Sequence, residues 1–238
     1  MKTIILPLMV VFCIAAMSTA EPINLLIITG GHDFERDEFF AAFDSFDNIQ
    51  WTEIQHPQVR DFWGTDQIKE YDALLFYDMP KEISSEQKES FLDLVEDGMG
   101  IVFMHHSLAS YPDWSEYMKI IGGHYHQKPY VTARGDTLVS TYKHDVDLTV
   151  NVEKEHPVTQ DVNNFTIHDE VYNYYSVVPT VTPLLSTEHP ESGELLAWTH
   201  TYKKSTIVYL LLGHDHHAYV NENFRKLVHN AVTFVADK

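Results

Sequence analysis

Asn24-Leu25-Leu26-Ile27-Ile28-Thr29 runs directly into Gly30-Gly31-His32-Asp33. An apolar run without polar alternation fits a strand covered on both faces, the kind found in parallel sheets flanked by helices. The paired glycines read as the turn that ends it. Outward from this strand the same unit repeats. Residues 34–46 carry Phe39, Phe40, Phe43 and Phe46 at near-helical spacing, which predicts an amphipathic helix, and residues 50–54 alternate like a second strand. Ala73-Leu74-Leu75-Phe76-Tyr77 is a third strand, closed by Asp78-Met79-Pro80. Ser84-Ser85-Glu86-Gln87 offers an N-cap with its capping-box partner, and the helix it opens stops at Gly98 and Gly100. Ile101-Val102-Phe103-Met104 is a fourth strand, and residues 114–121 form a helix ended by Gly122-Gly123. Residues 130–152 turn to alternation, an antiparallel or edge region. Residues 194–198 and 206–212 read as strands paired around Lys203-Lys204, and a last helix begins near Asn223. The expected architecture is one α/β domain over residues 21–238, a mostly parallel sheet sandwiched by helices, with a β-rich elaboration.

Residues 1–20 stand apart. Lys2, the short apolar stretch 4–16 and the small-x-small sequence Ser18-Thr19-Ala20 predict a signal peptide cleaved after Ala20. The apolar stretch is too short to span a bilayer comfortably. Phe12 before Cys13 argues against a lipoprotein site. The expected product is secreted or periplasmic. Its 218 residues lack cysteine, because Cys13 is the only one in the 238, so disulfides and thiolate chemistry are excluded from it. Losing Lys2 takes the formal charge from −19 to −20. Such a surface disfavours nucleic acid and anionic membranes as partners; a small sugar is the expected ligand, and homo-oligomer formation stays open.

Histidine is abundant, 15 in all, and collects where strands should end. Ligands in open parallel sheets bind beyond the carboxyl ends of the strands. His32 and Asp33 follow strand one, Asp78 follows strand three, His105-His106-Ser107 follows strand four, and His214-Asp215-His216-His217 follows the last long strand. His105 and His106 point to opposite sides if the strand continues, which leaves one of them for the site. His124-x-His126 reads equally as a metal pair on one strand face or as a loop, and His216-His217 equally as a solvated loop. His56, His156 and His189 precede proline and suit turns. His229 reads as structural.

Taken in order, several short motifs resemble the ThuA-like (trehalose utilisation) proteins. They are Thr29-Gly30-Gly31-His32, Asp78-Met79-Pro80, Gly100 through Ser107, Trp114-x-x-Tyr117, Ile121-Gly122-Gly123, His156-Pro157, Asp169-Glu170-x-Tyr172, Leu196-Ala197-Trp198 and Leu212-Gly213-His214-Asp215. The resemblance covers essentially all of the chain after residue 20. It implies the class I glutamine amidotransferase-like fold, a flavodoxin-like three-layer sandwich, and a genetic link to disaccharide use, especially beside dehydrogenases that make 3-keto-glycosides. True amidotransferases carry a cysteine on the elbow after the fourth strand. His105-His106-Ser107 stands there instead, so thioester chemistry is excluded. Ser107 lacks the small flanking residues of a serine elbow.

The remaining chemistry rests on imidazoles and carboxylates. His32, His106 and His214 are the candidate ligands for Zn²⁺ or another divalent metal. Glu170, with Asp169, is the candidate general base or acid, and Asp215 could orient a neighbouring imidazole. Tyr172, Trp114, Ser107 and Asp78 are candidate substrate contacts. Three functions follow: a metal-assisted enzyme that isomerises, eliminates or hydrolyses a disaccharide or its 3-keto derivative; a sugar-binding protein without turnover, stacking on Trp63, Trp114, Trp198 and tyrosines; or a hydrolase of another substrate class on the same scaffold.

Overall fold

The computed structural model describes residues 21–237. The signal-peptide expectation therefore lies outside the described residues. A nine-stranded mixed sheet organises the chain. Its strands are β1 (Ile23–Gly30), β2 (Ile49–Gln55), β3 (Ala73–Asp78), β4 (Gly100–Met104), β5 (Thr141–Val152), β6 (Phe165–Asn173), β7 (Thr182–Ser186), β8 (Leu195–Tyr202) and β9 (Ser205–Leu210). They lie in the order β2-β1-β3-β4-β9-β8-β7-β5-β6. The first five in that order pair in parallel, and the other four continue the same sheet antiparallel. The β-rich elaboration is thus the far wing of the main sheet.

Every residue of β3 and β4 is buried. Successive side chains of a strand point to opposite faces, so both faces of the sheet centre are covered, as a three-layer sandwich requires. The covering helices are α1 (Arg36–Asp44), α2 (Ser85–Asp97), α3 (Ser115–Ile121) and α4 (Glu222–Ala236). Helix α2 begins where the sequence predicts. Ser84 Oγ accepts from the Gln87 backbone N–H at 3.2 Å, and Gln87 Oε1 accepts from the Ser84 N–H at 3.0 Å. Gly98, at φ +89°, ends it in the left-handed conformation. Helix α4 buries Phe224, Leu227, Val228, Ala231, Val232 and Val235, the stripe expected from their spacing. No helix among the described residues is long and apolar enough to cross a membrane.

Candidate active site

The loops after β1 and β3 cross closely. A Cβ on Gly31, which sits at φ +84°, would lie 2.5 Å from the Met79 carbonyl carbon. Only glycine fits there, and the turn leaves His32 over the sheet end. Strand β4 gives way immediately to a 3₁₀ turn over His105–Ala109, with His105 itself at φ +46°. Strand alternation stops at that residue. Both rings enter one cluster, while only His106 lines the cavity and His105 stands behind it, fully buried.

His105 donates from Nδ1 to the Leu211 carbonyl. That fixes Nε2 as its free end, 3.2 Å from His214 Nδ1 and 3.3 Å from Glu170 Oε1. The His106 ring lies on His32, centroids 4.0 Å apart, and is 3% exposed. Neither of its nitrogens has a hydrogen-bond partner among the described residues. A buried polar atom left in that state is costly and calls for an explanation. Burial, reinforced by the charges of His105, His32 and His214, pushes the His106 pKa well below the ordinary imidazole range.

The opposite wall comes from the antiparallel wing. Strands β5 and β6 pair with Tyr142 opposite Tyr172, and their register shifts between Lys143 and Val146. Residues two apart share a face, so one side of this pair presents Tyr142, His144, Glu170 and Tyr172 to the histidines. His144 Nδ1 lies 2.8 Å from Glu170 Oε2, and Tyr172 stacks on His105 with centroids 4.8 Å apart. Burial opposes ionisation of Glu170, but His105, His214 and His144 outweigh it and hold the carboxyl below its ordinary pKa. Burial likewise opposes the charged form of His105, yet Glu170, Asp169 and the Leu211 carbonyl raise its pKa overall. The two face each other, His105 Nε2 to Glu170 Oε1, at 3.3 Å. His214 is instead lowered to about 4, by burial and then by the charge of His105.

Asp169 works from below. Its carboxylate accepts from the backbone N–H groups of Gly213 at 2.7 Å, His214 at 2.9 Å and Glu170 at 2.9 Å. It thereby fixes the turn carrying His214 against the strand carrying Glu170. Burial pushes its pKa up to about 6.

These groups border a cavity of about 330 Å³ whose walls include His32, His106, His144, Glu170, Tyr172 and Tyr142. Of the residues singled out in sequence, His32, His106, Glu170 and Tyr172 thus meet at one cavity, with His214 and Asp169 directly behind. The convergent trio of ring nitrogens is His105, His106 and His214, all within 4.8 Å of one another, whereas His32 covers His106 and engages the Asp33 carbonyl. Asp215 engages the imidazole of His217 rather than that of His214: it accepts from the His217 N–H at 2.9 Å and pairs with the His217 ring at 3.3 Å. Ser107 and Asp78 are wholly buried. Ser107 Oγ donates to Phe76 O and to Asp78 Oδ1, and Asp78 Oδ2 holds His56 Nε2 at 2.7 Å. Trp114 packs among Phe91, Tyr111 and Tyr117, and Trp63 and Trp198 are also core residues. None of these five lines the cavity. His156 and His189 cap turns, each accepting a backbone N–H two residues on, and His229 bonds Asn48. His126 stacks on Tyr130 with ring centroids 3.5 Å apart and bonds Ser176 Oγ at 2.6 Å. Residues 216–217 lie in a short helical turn, with His216 paired to Glu35.

Sequence reasoning missed Tyr142, Lys81 and Gln127 as cavity residues, and placed His144 and Tyr125 near the strand-end clusters without a role. His144 and Tyr142 sit two apart in an alternating stretch, which is the one available signal. Their juxtaposition with Glu170 depends on cross-strand register, which that alternation does not encode.

A mixed sheet of this topology, covered by helices and carrying an imidazole–carboxylate cluster where β4 ends, is the class I glutamine amidotransferase-like fold. The chain belongs to the ThuA family, described as trehalose utilisation, whose model matches residues 24–235. Among solved structures, a protein described as ThuA-like from Parabacteroides merdae superposes with a TM-score of 0.76 at 16% identity, covering 91% of each chain. Another described in the same way, from Bacteroides uniformis, gives 0.68 at 20% identity over 93% of this chain and 94% of that one. A protein from Thermoplasma acidophilum described as part of a GMP synthase gives 0.53 at 9% identity, covering 92% of this chain and 96% of that one. At such identities the likeness concerns the fold alone. Comparison with curated proteins finds no match.

Proposed function

We propose that this chain is an exported enzyme of carbohydrate utilisation that performs metal-assisted acid–base chemistry on a disaccharide or its 3-keto-glycoside derivative. Membership of the trehalose-utilisation family supports the substrate class. One observation carries the chemistry: His106 is buried with both ring nitrogens unpartnered, beside His105 Nε2 and His214 Nδ1. Tetrahedral Zn²⁺ with Zn–N bonds of about 2.0–2.1 Å sets its ligand nitrogens roughly 3.3 Å apart. The 3.2 Å between His105 Nε2 and His214 Nδ1 fits that edge. In this reading the donors are His105, His106 and His214, with His32 packed on the His106 ring. When bound, a divalent ion there supplies Lewis-acid polarisation of a sugar carbonyl.

The chain's own residues do the rest. Leu211 O holds the His105 tautomer, and Asp169 fixes the backbone of His214. Glu170, steadied on Oε2 by His144, faces the cavity and takes the proton from the carbon next to the carbonyl. Returned to a neighbouring carbon, that proton completes an isomerisation; expulsion of a β-oxygen instead completes an elimination. Sugar binding without turnover loses its stacking faces on Trp63, Trp114 and Trp198, which are buried, and keeps those of Tyr125, Tyr142 and Tyr172.

Metal content of untagged protein tests the reading. The wild type should hold near-stoichiometric metal, His106→Ala and His214→Ala should lose it, and His32→Ala should keep it. Glu170→Gln should bind sugar yet lose turnover by about 10²–10⁴-fold. A metal-free wild type that takes up no Zn²⁺, Mn²⁺ or Co²⁺ would sink the mechanism.

A further inference from the structure

The cavity beside Glu170 lies at the low end of the roughly 300–1,000 Å³ usual for small-molecule sites, room for one sugar ring more readily than two. At its rim stands Tyr142, which lines the cavity and is nevertheless 62% exposed. Its placement is fixed: Tyr142 lies directly opposite Tyr172 in the β5–β6 pairing, and its ring meets His144 edge-on at 5.3 Å. His144 in turn bonds Glu170. The strand thus holds an aromatic face at the mouth, one step from the candidate base. The C–H face of a pyranose is apolar while its edge is hydroxylated, so a sugar ring fits a flat aromatic flanked by polar groups. Gln127 and Lys81, also in the cavity wall, are the nearby donors.

We propose that this mouth is a second sugar subsite, where Tyr142 stacks on the ring adjoining the one held at Glu170, so that the protein selects glycosides over free monosaccharides. The inference rests on the carbohydrate reading above and adds the residue that sets chain length. It differs from the stacking expected in sequence, since all three tryptophans named for that role are core residues.

The test is calorimetric titration of trehalose, sucrose and lactose, beside glucose, galactose and fructose, into metal-reconstituted Glu170→Gln protein, with and without Tyr142→Ala. At least one disaccharide should bind more tightly than its component monosaccharides. Tyr142→Ala should weaken that disaccharide by about 3- to 10-fold and leave the monosaccharides unchanged, while Tyr142→Phe and Tyr142→Trp restore it. Because the side chain is largely exposed, the thermal midpoint of Tyr142→Ala should match its parent. Equal weakening of disaccharide and monosaccharide, or no change in either, overturns the subsite and leaves the carbohydrate reading standing. Binding of none of these sugars by the parent overturns the subsite for unmodified glycosides, and failure of 3-keto-trehalose to bind as well overturns the carbohydrate reading.

Discussion

Asp169 carries a full carboxylate into the interior with backbone N–H groups as its hydrogen-bond partners, and that makes it a sensitive probe of the site. Oδ2 serves Gly213, and Oδ1 serves His214 and Glu170. In Asp169→Asn one of these oxygens becomes an amide nitrogen facing an N–H donor, so a hydrogen bond is replaced by a clash of donors. The expected cost is about 1–3 kcal/mol in urea unfolding at neutral pH, with loss of metal because His214 is no longer held. A pH dependence accompanies it. The folded pKa of about 6 lies above the ordinary 3.8, so the folded chain holds this proton more tightly than the unfolded chain does. Stability from this group is greatest below about pH 4 and declines as pH rises to about 6. The advantage of wild type over Asp169→Asn should therefore be larger at pH 4 than at pH 7, and a difference that grows with pH would contradict the burial described. In sequence, Asp169-Glu170 is legible as a carboxylate pair, but the division of labour is not. Which of them faces the cavity depends on Gly213 and His214, more than 40 positions away. The elbow misleads for a related reason. An unbroken strand would separate His105 from His106, and the positive φ that unites them is rare outside glycine and has no local sequence mark.

Elements differ in how openly the sequence declares them. Strands β1, β3 and β4 are buried on both faces, so each reads as an apolar run, and α2 carries its capping box and terminal glycine in plain view. Strand β6 is hidden because Phe-Thr-Ile-His-Asp-Glu-Val-Tyr-Asn places His168, Asp169 and Glu170 in mid-strand, where polar residues ordinarily signal a loop. The site itself creates that exception for Asp169 and Glu170, whose bonds to other strand ends permit their burial, while His168 pairs with Asp147 on the outer side. The approach of α4 to β4 is similarly silent in sequence but sharply testable. A Cβ on Gly100 would fall 2.0 Å from the Val235 carbonyl oxygen, so Gly100→Ala must push the helix from the sheet. Overpacking of this kind costs about 1–3 kcal/mol and here should reach the upper end. Because β4 leads directly into His105 and His106, metal content should fall as well. Gly135→Ala is the control: that glycine sits at φ +90° with nothing within 4 Å of the added carbon, so only backbone strain of about 1–2 kcal/mol is expected. Urea midpoints for the two variants that coincide would show that α4 does not bear on Gly100.

The molecule as a whole sets two electrostatic tendencies against each other. Acidic residues outnumber basic ones 35 to 16, so at neutral pH the folded chain repels itself, and acidification should relieve this. Against it stand six histidines held below their ordinary pKa, with burial the first cause in each: His106, His124, His126, His156, His200 and His214, of which His124 and His214 fall to about 4. A lowered imidazole stabilises the fold fully above its unfolded value near 6.5 and loses that contribution as pH falls toward its folded value. Only three, His105, His168 and His216, are raised, each by a carboxylate neighbour, and these gain as pH falls through the same range. The histidine balance therefore favours neutral pH. Salt separates the two tendencies, because at about 1 M the screening length shrinks to about 3 Å and surface repulsion is suppressed while buried rings are scarcely affected. Calorimetry in 1 M NaCl should show the thermal midpoint falling from pH 7 to pH 5, with a flatter profile at low salt where relief of repulsion compensates. A midpoint that rises on acidification in high salt would mean the buried imidazoles charge without penalty. That would contradict the burial that leaves both ring nitrogens of His106 without a hydrogen-bond partner.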